Sequence, residues 1–563
     1  MPTTNKMTGA RMLMEAFKEE GVEVVFGYPG GAVLFIYDEI YKQSYFRHIL
    51  TRHEQAALHA ADGYARASGK VGVAIITSGP GFTNAVTGIA TAYTDSVPLV
   101  VVSGQVPITQ IGTDAFQEID AVGISRPCTK HNYLVKNIKE LPKILKEAFY
   151  IARSGRPGPV LIDLPKDISS TMGEFNYPKS IALQTYKPTI KGNARQITKL
   201  KDAIIEAKKP LFYIGGGAII SNAHGEIRKL MEATNIPAIE TLMARGVCGD
   251  YNPLFLGMAG MHGSYASNMA ISECDLLVSL GARFDDRITG KLSEFAKGAK
   301  IAHIDIDPSS IGKIIHADYP IVGDVKSIIG ELLEILGDYD KTKTKKWLAT
   351  LESYKKKHTF CYEDSNEVLK PQWIIEKISQ MVDGDAIIST DVGQHQMWVA
   401  QFYRFMQPRE FITSGGLGTM GFGLPAAIGV KIAKEKKYSI NISGDGSIMM
   451  NIQELMTCIE SGIPVINVVL NNNYLGMVRQ WQTFFYDRRY SSVDLTYQPD
   501  FIKLVESFGG IGFLVRTKKE FEKALREAMS ADKVALLDVK IDRMESVFPM
   551  VPSGEALYNM MLN

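Results

Sequence analysis

Short apolar runs, separated by helix-length stretches and mostly closing in glycine, serine, proline or aspartate, recur along the chain and constrain its fold more than any other feature. The first block holds "GVEVVFGY", "VGVAIITSGPG", "PLVVVSGQ" and "GPVLIDLP". After the pattern-poor "FNYPKSIALQTYKPTIKGNAR", a second block holds "KPLFYIGGGAI", "IPAIETLMARG", "CDLLVSLGARF" and "AKIAHIDIDP". A third holds "DAIISTDVGQ", "YSINISGDGS", "IPVINVVLNNN" and "VALLDVKID". Such β-then-α alternation predicts parallel sheet covered by helices on both faces. The expected class is therefore α/β, with three doubly wound parallel-sheet domains at residues 1–182, 190–340 and 369–563. Between the last two, the linker 341–368 begins in the lysine-heavy "DKTKTKKWLATLESYKKKH" (340–358), which reads as a solvated connector. The first and third blocks share a style of strand end but no residue-level repeat, so their kinship is expected to be architectural.

At 563 residues the chain exceeds what one hydrophobic core usually serves. Its 62 Lys and Arg against 61 Asp and Glu create no field that would gather nucleic acid or an anionic membrane. Five scattered cysteines without a CxxC pair point to neither a zinc site nor a disulfide framework. No apolar run reaches membrane-spanning length, and the opening "MPTTNKMTGARMLMEAFKEEG" has no signal or transit character, so a mature cytoplasmic protein is expected.

The stretch "NISGDGSIMMNIQELMTCIESGIPVINVVLNNNYLG" sets Asp445 in a glycine turn 27 residues before Asn472. In a parallel βαβ unit both strands point the same way, so residues following "SINIS" and "PVINVVL" share one rim of the sheet, with "NIQELMTCIESG" as the crossover helix. One carboxylate and one amide oxygen so placed are hard ligands suited to Mg²⁺ that also takes phosphate oxygens. A tight turn and a polar loop would explain either half alone; the strand-helix-strand register makes the pair informative.

GDG followed at this interval by NN resembles the metal-diphosphate motif of thiamine diphosphate enzymes. The resemblance implies that Asp445 and Asn472 bind Mg²⁺ with the main-chain carbonyl of Tyr474. "LTRHEQAALHAADGYARASG" is similar to the family's glutamate segment, which implies that Glu54 hydrogen-bonds the cofactor's aminopyrimidine and so promotes removal of the thiazolium C2 proton. "TSGPGFTN" resembles the pyrimidine-side loop. In "SGGLGTMGFGLPAAIG", Met420 matches the residue that bends the cofactor, and the Gly418 carbonyl matches the acceptor for its 4′-amino group. Further implied thiamine diphosphate contacts are Pro29, Gly30, Pro80, Asn84, Gly393, Gln394, His395, Gly444, Gly446 and Ser447. The same glycine stretch also fits G-x-G-x-x-G after a strand-like "REFITSG", which keeps a nicotinamide dehydrogenase as a rival. That rival leaves Asn472, Glu54 and the 77–84 loop without tasks.

Along nearly the whole chain, "GYPGG", "AFQE", "SGRPGPVLIDLPKD", "GARFDDRITG", "DVGQHQMW" and "LGMVRQWQ" resemble the catalytic large subunits of acetohydroxyacid (acetolactate) synthases. The three blocks then correspond to pyrimidine-binding, central FAD-binding and diphosphate-binding domains. This family decarboxylates pyruvate and adds the resulting carbanion to a second pyruvate or to 2-ketobutyrate, feeding valine, leucine and isoleucine synthesis. By position, Arg287 pairs with the acceptor carboxylate, Trp481 supplies an apolar wall, and Met477 belongs to the same substrate set. Gln117 and Phe116 line the reaction chamber, Gly31 offers a main-chain donor, and Lys166 stands at the entrance. The implied FAD contacts are Arg156, Gly215, Gly216, Gly217, Thr241, Leu242, His262, Gly263, Gly281, Arg283, Asp285, Asp305, Ile306 and Asp324. Within the family the glutamate domain of one subunit faces the metal domain of another, which implies a homodimer or homotetramer, usually joined by a small regulatory subunit. Neighbouring alternatives are the FAD-free fermentative acetolactate synthases and pyruvate oxidase; a non-enzymatic flavin-binding scaffold would release no CO₂.

Overall fold

The structure, a computed structural model, describes residues 5–562. Its strands form three six-stranded parallel sheets and a small antiparallel ribbon of Lys6–Thr8 with Met172–Glu174. The first sheet comprises β1 (Val24–Gly27), β2 (Arg47–Leu50), β3 (Gly72–Ile76), β4 (Leu99–Gln105), β5 (His131–Leu134) and β6 (Pro159–Pro165), in the order β2-β1-β3-β4-β6-β5. The central sheet comprises β7 (Pro210–Ile214), β8 (Ala238–Glu240), β9 (Phe255–Met258), β10 (Leu276–Leu280), β11 (Lys300–Asp305) and β12 (Tyr319–Val322). Its order, β9-β8-β7-β10-β11-β12, is that of dinucleotide-binding doubly wound folds, in which ligands sit where the order reverses, here between β7 and β10. The third comprises β13 (Ala386–Thr390), β14 (Phe411–Ile412), β15 (Tyr438–Gly444), β16 (Ile466–Asn471), β17 (Ile511–Val515) and β18 (Ala535–Lys540). Its order is β14-β13-β15-β16-β18-β17, so the first and third sheets are wound identically, the architectural kinship that the strand ends suggested.

The two matching units also hold each other. Helix Glu54–Ser68 crosses from β2 to β3, and helix Gly423–Ala433 crosses from β14 to β15, the equivalent connection. The first is rich in alanine, so its backbone can approach its counterpart closely. A Cβ on Gly63 would overlap the Ala426 carbonyl, and one on Gly429 would overlap the Ala60 carbonyl. One apolar core consequently runs from Phe26 and Ile49 through Leu424 and Ile428 to Val469 and Leu536. Gly429→Ala is expected to cost about 1–3 kcal/mol, because backbone rather than a flexible side chain must yield; a melting curve matching the parent would count against this close crossing.

The connector is solvated on one face only. Helix Lys345–Lys357 exposes most of its lysines, but Trp347 and Leu351 are buried in the core of the central unit. The Trp347 indole N–H donates to the Pro210 carbonyl at 3.1 Å. Two apolar residues four apart suffice to dock a helix whose charge suggested none. The expected 451–462 crossover helix is shorter, Glu454–Ser461, and a separate one-turn helix, Asp445–Ile448, precedes it. No helix among the described residues is long and apolar enough to cross a membrane.

Candidate active site

Strands β15 and β16 are hydrogen-bonded neighbours with Gly444 opposite Leu470, so Asp445 and Asn472 emerge side by side on the carboxyl rim. Both are buried, Asp445 to 2 % exposure. Gln498 donates to one Asp445 oxygen, Oδ2, while Oδ1 is buried without a partner. The amide oxygen of Asn472 accepts from the Tyr474 N–H at 3.0 Å, which folds the Tyr474 backbone onto the same rim. Burial raises the Asp445 pKa to about 6; a bound dication would reverse that shift. Beside this pair, His395 is kept neutral by burial, its pKa lowered to about 3, and its Nε2 is also buried and unpartnered. Gly393 and Gly444 lie against the His395 ring, where any Cβ would crowd it. The Ser447 hydroxyl turns back on Gly444, and the Gln394 amide is held by Gln480 at 2.8 Å. A Cβ on Gly446 would press on Leu475. A partnerless carboxylate oxygen on Asp445 and a partnerless imidazole nitrogen on His395, whose ring lies against Gly444, are a donor set that fits Mg²⁺ and a diphosphate. Among the described residues there is no cluster of three or more His, Cys, Asp or Glu to compete for the metal.

Glu54 opens its helix directly after β2 and is buried, with Oε2 accepting from Asn84 at 3.0 Å. Three loops of the first sheet's rim close around it. A Cβ on Gly30 would overlap the Thr77 side chain, one on Gly81 would come within 3.2 Å of Glu54 Oε1, and one on Gly79 would meet Gln117 at 2.9 Å. Gly79 and Gln117 have φ of 59° and 60°; for Gln117 this left-handed conformation is uncommon in a residue with a side chain. Pro29, Gly31, Pro80 and Asn84 are exposed on this rim. Phe116 is not packed within the chain but stands 88 % exposed. Lys166 begins a short helix after β6 and makes no ion pair among the described residues.

A cavity of about 1620 Å³ lies where the three units meet, walled by the central and third units and by Thr94–Ser96 and Arg153–Pro157 of the first, and is larger than the roughly 300–1,000 Å³ of a single small-ligand pocket. Every residue expected to hold the flavin lines it except Gly263, whose own turn against Ala259 and Gly260 leaves no room for a Cβ. Gly215 and Gly217 serve the fold first: Cβ atoms there would strike the chain at Gly281 and Ala282 just past β10, whereas Gly216 faces only Met243. The Thr241 hydroxyl on this wall is buried without a partner. Arg156 reaches across to Asp307 at 3.1 Å and Ser96 at 2.8 Å, and burial raises the Asp305 pKa to about 6. The same cavity is lined by Arg287, Met477 and Trp481, together with Gly393 and Gly418; Met420 lies just beyond it. Met477 and Trp481 share one face of helix Gly476–Phe485, whose other face is pinned by Arg479 and Gln480 to the backbone of Met544, Glu545 and Val547. Arg287 is largely exposed, near Asp286 and the Met261 sulfur. Glu54 and its loops do not line this cavity.

Three family descriptions match in chain order: "Thiamine pyrophosphate enzyme, N-terminal TPP binding domain" over residues 7–124, its central domain over 197–332, and its C-terminal TPP binding domain over 391–539. The chain is 46% identical over 564 residues to the acetolactate synthase large subunit of Haemophilus influenzae, covering 99% of this chain and 98% of the relative. It is 46% identical over 566 residues to the isozyme 3 large subunit of Escherichia coli, with 99% of each covered. With a probable acetolactate synthase large subunit of Methanocaldococcus jannaschii it shares 48% identity over 562 residues, 98% of this chain and 95% of that one. The chain belongs to the acetolactate synthase large-subunit family. It is accordingly a thiamine diphosphate-dependent carboligase, and the dehydrogenase reading fails on the structure as well. In the glycine stretch that suggested it, the Gly415 and Gly416 N–H groups already donate to Asp95, and the Gly423 N–H donates to Asp391. A pyrophosphate would meet two carboxylates there. Gln498, Asp95 and Asp391 went unread in the sequence; each acts through a fold contact, and no local motif marks such a contact.

Proposed function

We propose that this carboligase decarboxylates pyruvate and joins the two-carbon fragment to a second pyruvate or to 2-ketobutyrate, giving 2-acetolactate or 2-aceto-2-hydroxybutyrate for valine, leucine and isoleucine synthesis in the cytoplasm. The observation that carries this reading is the meeting of Arg287, Met477 and Trp481 with the Gly418 loop on one cavity wall. Asp445, Asn472 and the Tyr474 carbonyl would hold Mg²⁺, and His395, Gly444, Gly446 and Ser447 would surround the diphosphate. When bound, thiamine diphosphate supplies an acidic C2 and an electron sink for decarboxylation. Glu54 would hold a proton toward the aminopyrimidine ring while Asn84 fixes its other oxygen. The Arg287 fork would orient the acceptor's carboxylate, and Trp481 would press on the acceptor's alkyl end. FAD would occupy the remainder of the cavity, cradled by Gly216, Thr241, Arg156 and Asp305, with no electron transfer required of it.

The Glu54 rim and the cavity are separate surfaces of one chain, and each is flanked by exposed apolar side chains, Leu34, Phe35 and Phe116 on one and Leu417, Met449 and Met450 on the other. These features support a homodimer or homotetramer in which the first unit of one subunit completes the third unit of another. The large-subunit relatives support a small regulatory partner. The domain limits 1–182, 190–340 and 369–563, with 341–368 between them, suit this division of labour. The test supplies pyruvate with and without 2-ketobutyrate, omits each cofactor in turn and identifies the products; acetyl phosphate or acetate in place of acetohydroxyacids would refute the reading. Trp481→Leu is expected to weaken selection for 2-ketobutyrate by about 1–3 kcal/mol. An unchanged product ratio in competition would remove Trp481 from the specificity wall.

A further inference from the structure

The loop Ser414–Gly421, which carries Gly418 and Met420, is tied at its ends to its own unit, where Gln396 donates to the Ser414 carbonyl at 3.1 Å and Asn451 to the Gly421 carbonyl at 2.7 Å, while Gly415, Gly416 and Thr419 between them are held by the first unit of the same chain. Asp95, whose side chain has no exposed surface, accepts from the Gly416 N–H at 2.7 Å and from the Gly415 N–H at 3.0 Å. Its Oδ2 also pairs with Arg66 at 2.9 Å. Arg66 binds Asp62 as well, and donates to the Thr413 carbonyl at 3.0 Å, just before the loop. One helical turn before Asp95, the Thr91 hydroxyl meets that of Thr419 at 2.7 Å, next to Met420.

Helix Pro80–Thr94 therefore touches both halves of the chemistry. Asn84 near its start donates to Glu54, and Thr91 and Asp95 at its end grip the loop. At 1.5 Å per residue, Asn84 and Asp95 are about 16 Å apart along the helix axis. In the dimeric reading proposed above, this rod joins the activating carboxyl of one site to the cofactor-bending loop of the other.

We propose that Asp95 is a positioning residue for catalysis: its carboxylate, set by Arg66, fixes the Gly415–Gly416 backbone and thereby the Gly418 carbonyl and Met420 against the cofactor. The inference rests on the thiamine reading of this loop. A carboxylate is required because both oxygens accept from backbone N–H groups while one also faces a buried guanidinium. An amide would turn an NH₂ toward one of those donors.

The test uses the full-length enzyme and two readouts other than turnover. Amide hydrogen exchange over residues 413–421 is followed in the cofactor-free protein, and exchange of the C2 proton of bound thiamine diphosphate is followed in deuterated solvent with Mg²⁺. Asp95→Asn is expected to speed loop exchange at least tenfold and slow C2 exchange at least tenfold, with the amides of helix Lys345–Lys357 unchanged. Thr91→Val is expected to shift both in the same directions by about threefold, and it decides the matter if Asp95→Asn does not fold. Met420→Ala separates the two readings. If Met420→Ala slows C2 exchange but Asp95→Asn and Thr91→Val leave it at the parent rate, the positioning role is overturned. If Met420→Ala leaves C2 exchange unchanged, the loop assignment falls and this proposal with it.

Discussion

Glu54→Gln is expected to lower turnover by about 10²–10⁴-fold, the range for loss of a positioned acid-base group, which corresponds to roughly 3–5 kcal/mol of barrier. The substitution keeps shape and leaves an oxygen to accept from Asn84, so folding and melting should stay within about 0.5 kcal/mol of the parent. What it removes is the carboxyl proton and the charge that proton leaves behind. Thiamine diphosphate should still bind, because the residues proposed to hold its diphosphate and metal lie on the third unit. Near-normal product formation from a correctly folded Glu54→Gln enzyme would end the assignment of Glu54.

The second large effect is expected at Asp445→Asn. Its Oδ1 is the one buried carboxylate oxygen at the metal rim without a partner. Replacing it by a neutral amide should weaken Mg²⁺ by at least about 100-fold, beyond the 10–100-fold typical of losing a supporting contact around a metal. The parent should also show a proton competing with the metal. Burial raises Asp445 to about 6, so in metal-free protein the carboxyl is largely protonated below that pH and Mg²⁺ must displace the proton. Apparent affinity should therefore fall by up to tenfold per pH unit below about 6 and level off above it. The sign for stability is opposite: a carboxyl raised on folding favours the metal-free fold at low pH, and that contribution is lost as pH rises through about 6. Titration calorimetry with Mg²⁺ alone at several pH values reads the first effect; a flat profile, or unimpaired binding by the variant, would displace Asp445 as the ligand.

The strand pattern was legible where strands are buried on both faces. The four interior strands of each sheet correspond to the four apolar runs read in each block, because both faces must be apolar under a helical cover. Of the edge strands only the β14 region read as strand-like. "RHIL", "HNYL" and "YPIV" are half-exposed and mix His, Arg, Asn and Tyr with apolar residues, and β17 carries a glycine, Gly512, close against Ile502 and Val505 of helix Phe501–Ser507. At the metal rim, Asp445 and Asn472 could be read because register alone brings them together. Gln498 could not, since it reaches Asp445 from a loop more than 50 residues away. Trp347 shows the converse, a core residue concealed in a run of lysines.

The identical winding of the outer units, gripped together at Gly63 and Gly429, makes the central unit an insertion between two partners that already recognise each other. A shared apolar core, and not only covalent continuity through the insertion, joins the unit that carries Glu54 to the unit that carries Asp445. Severing the peptide on either side of that insertion is expected to leave fragments that co-elute through a shared apolar interior; fragments that separate on size exclusion would show that the middle module cannot be exchanged without dismantling the frame.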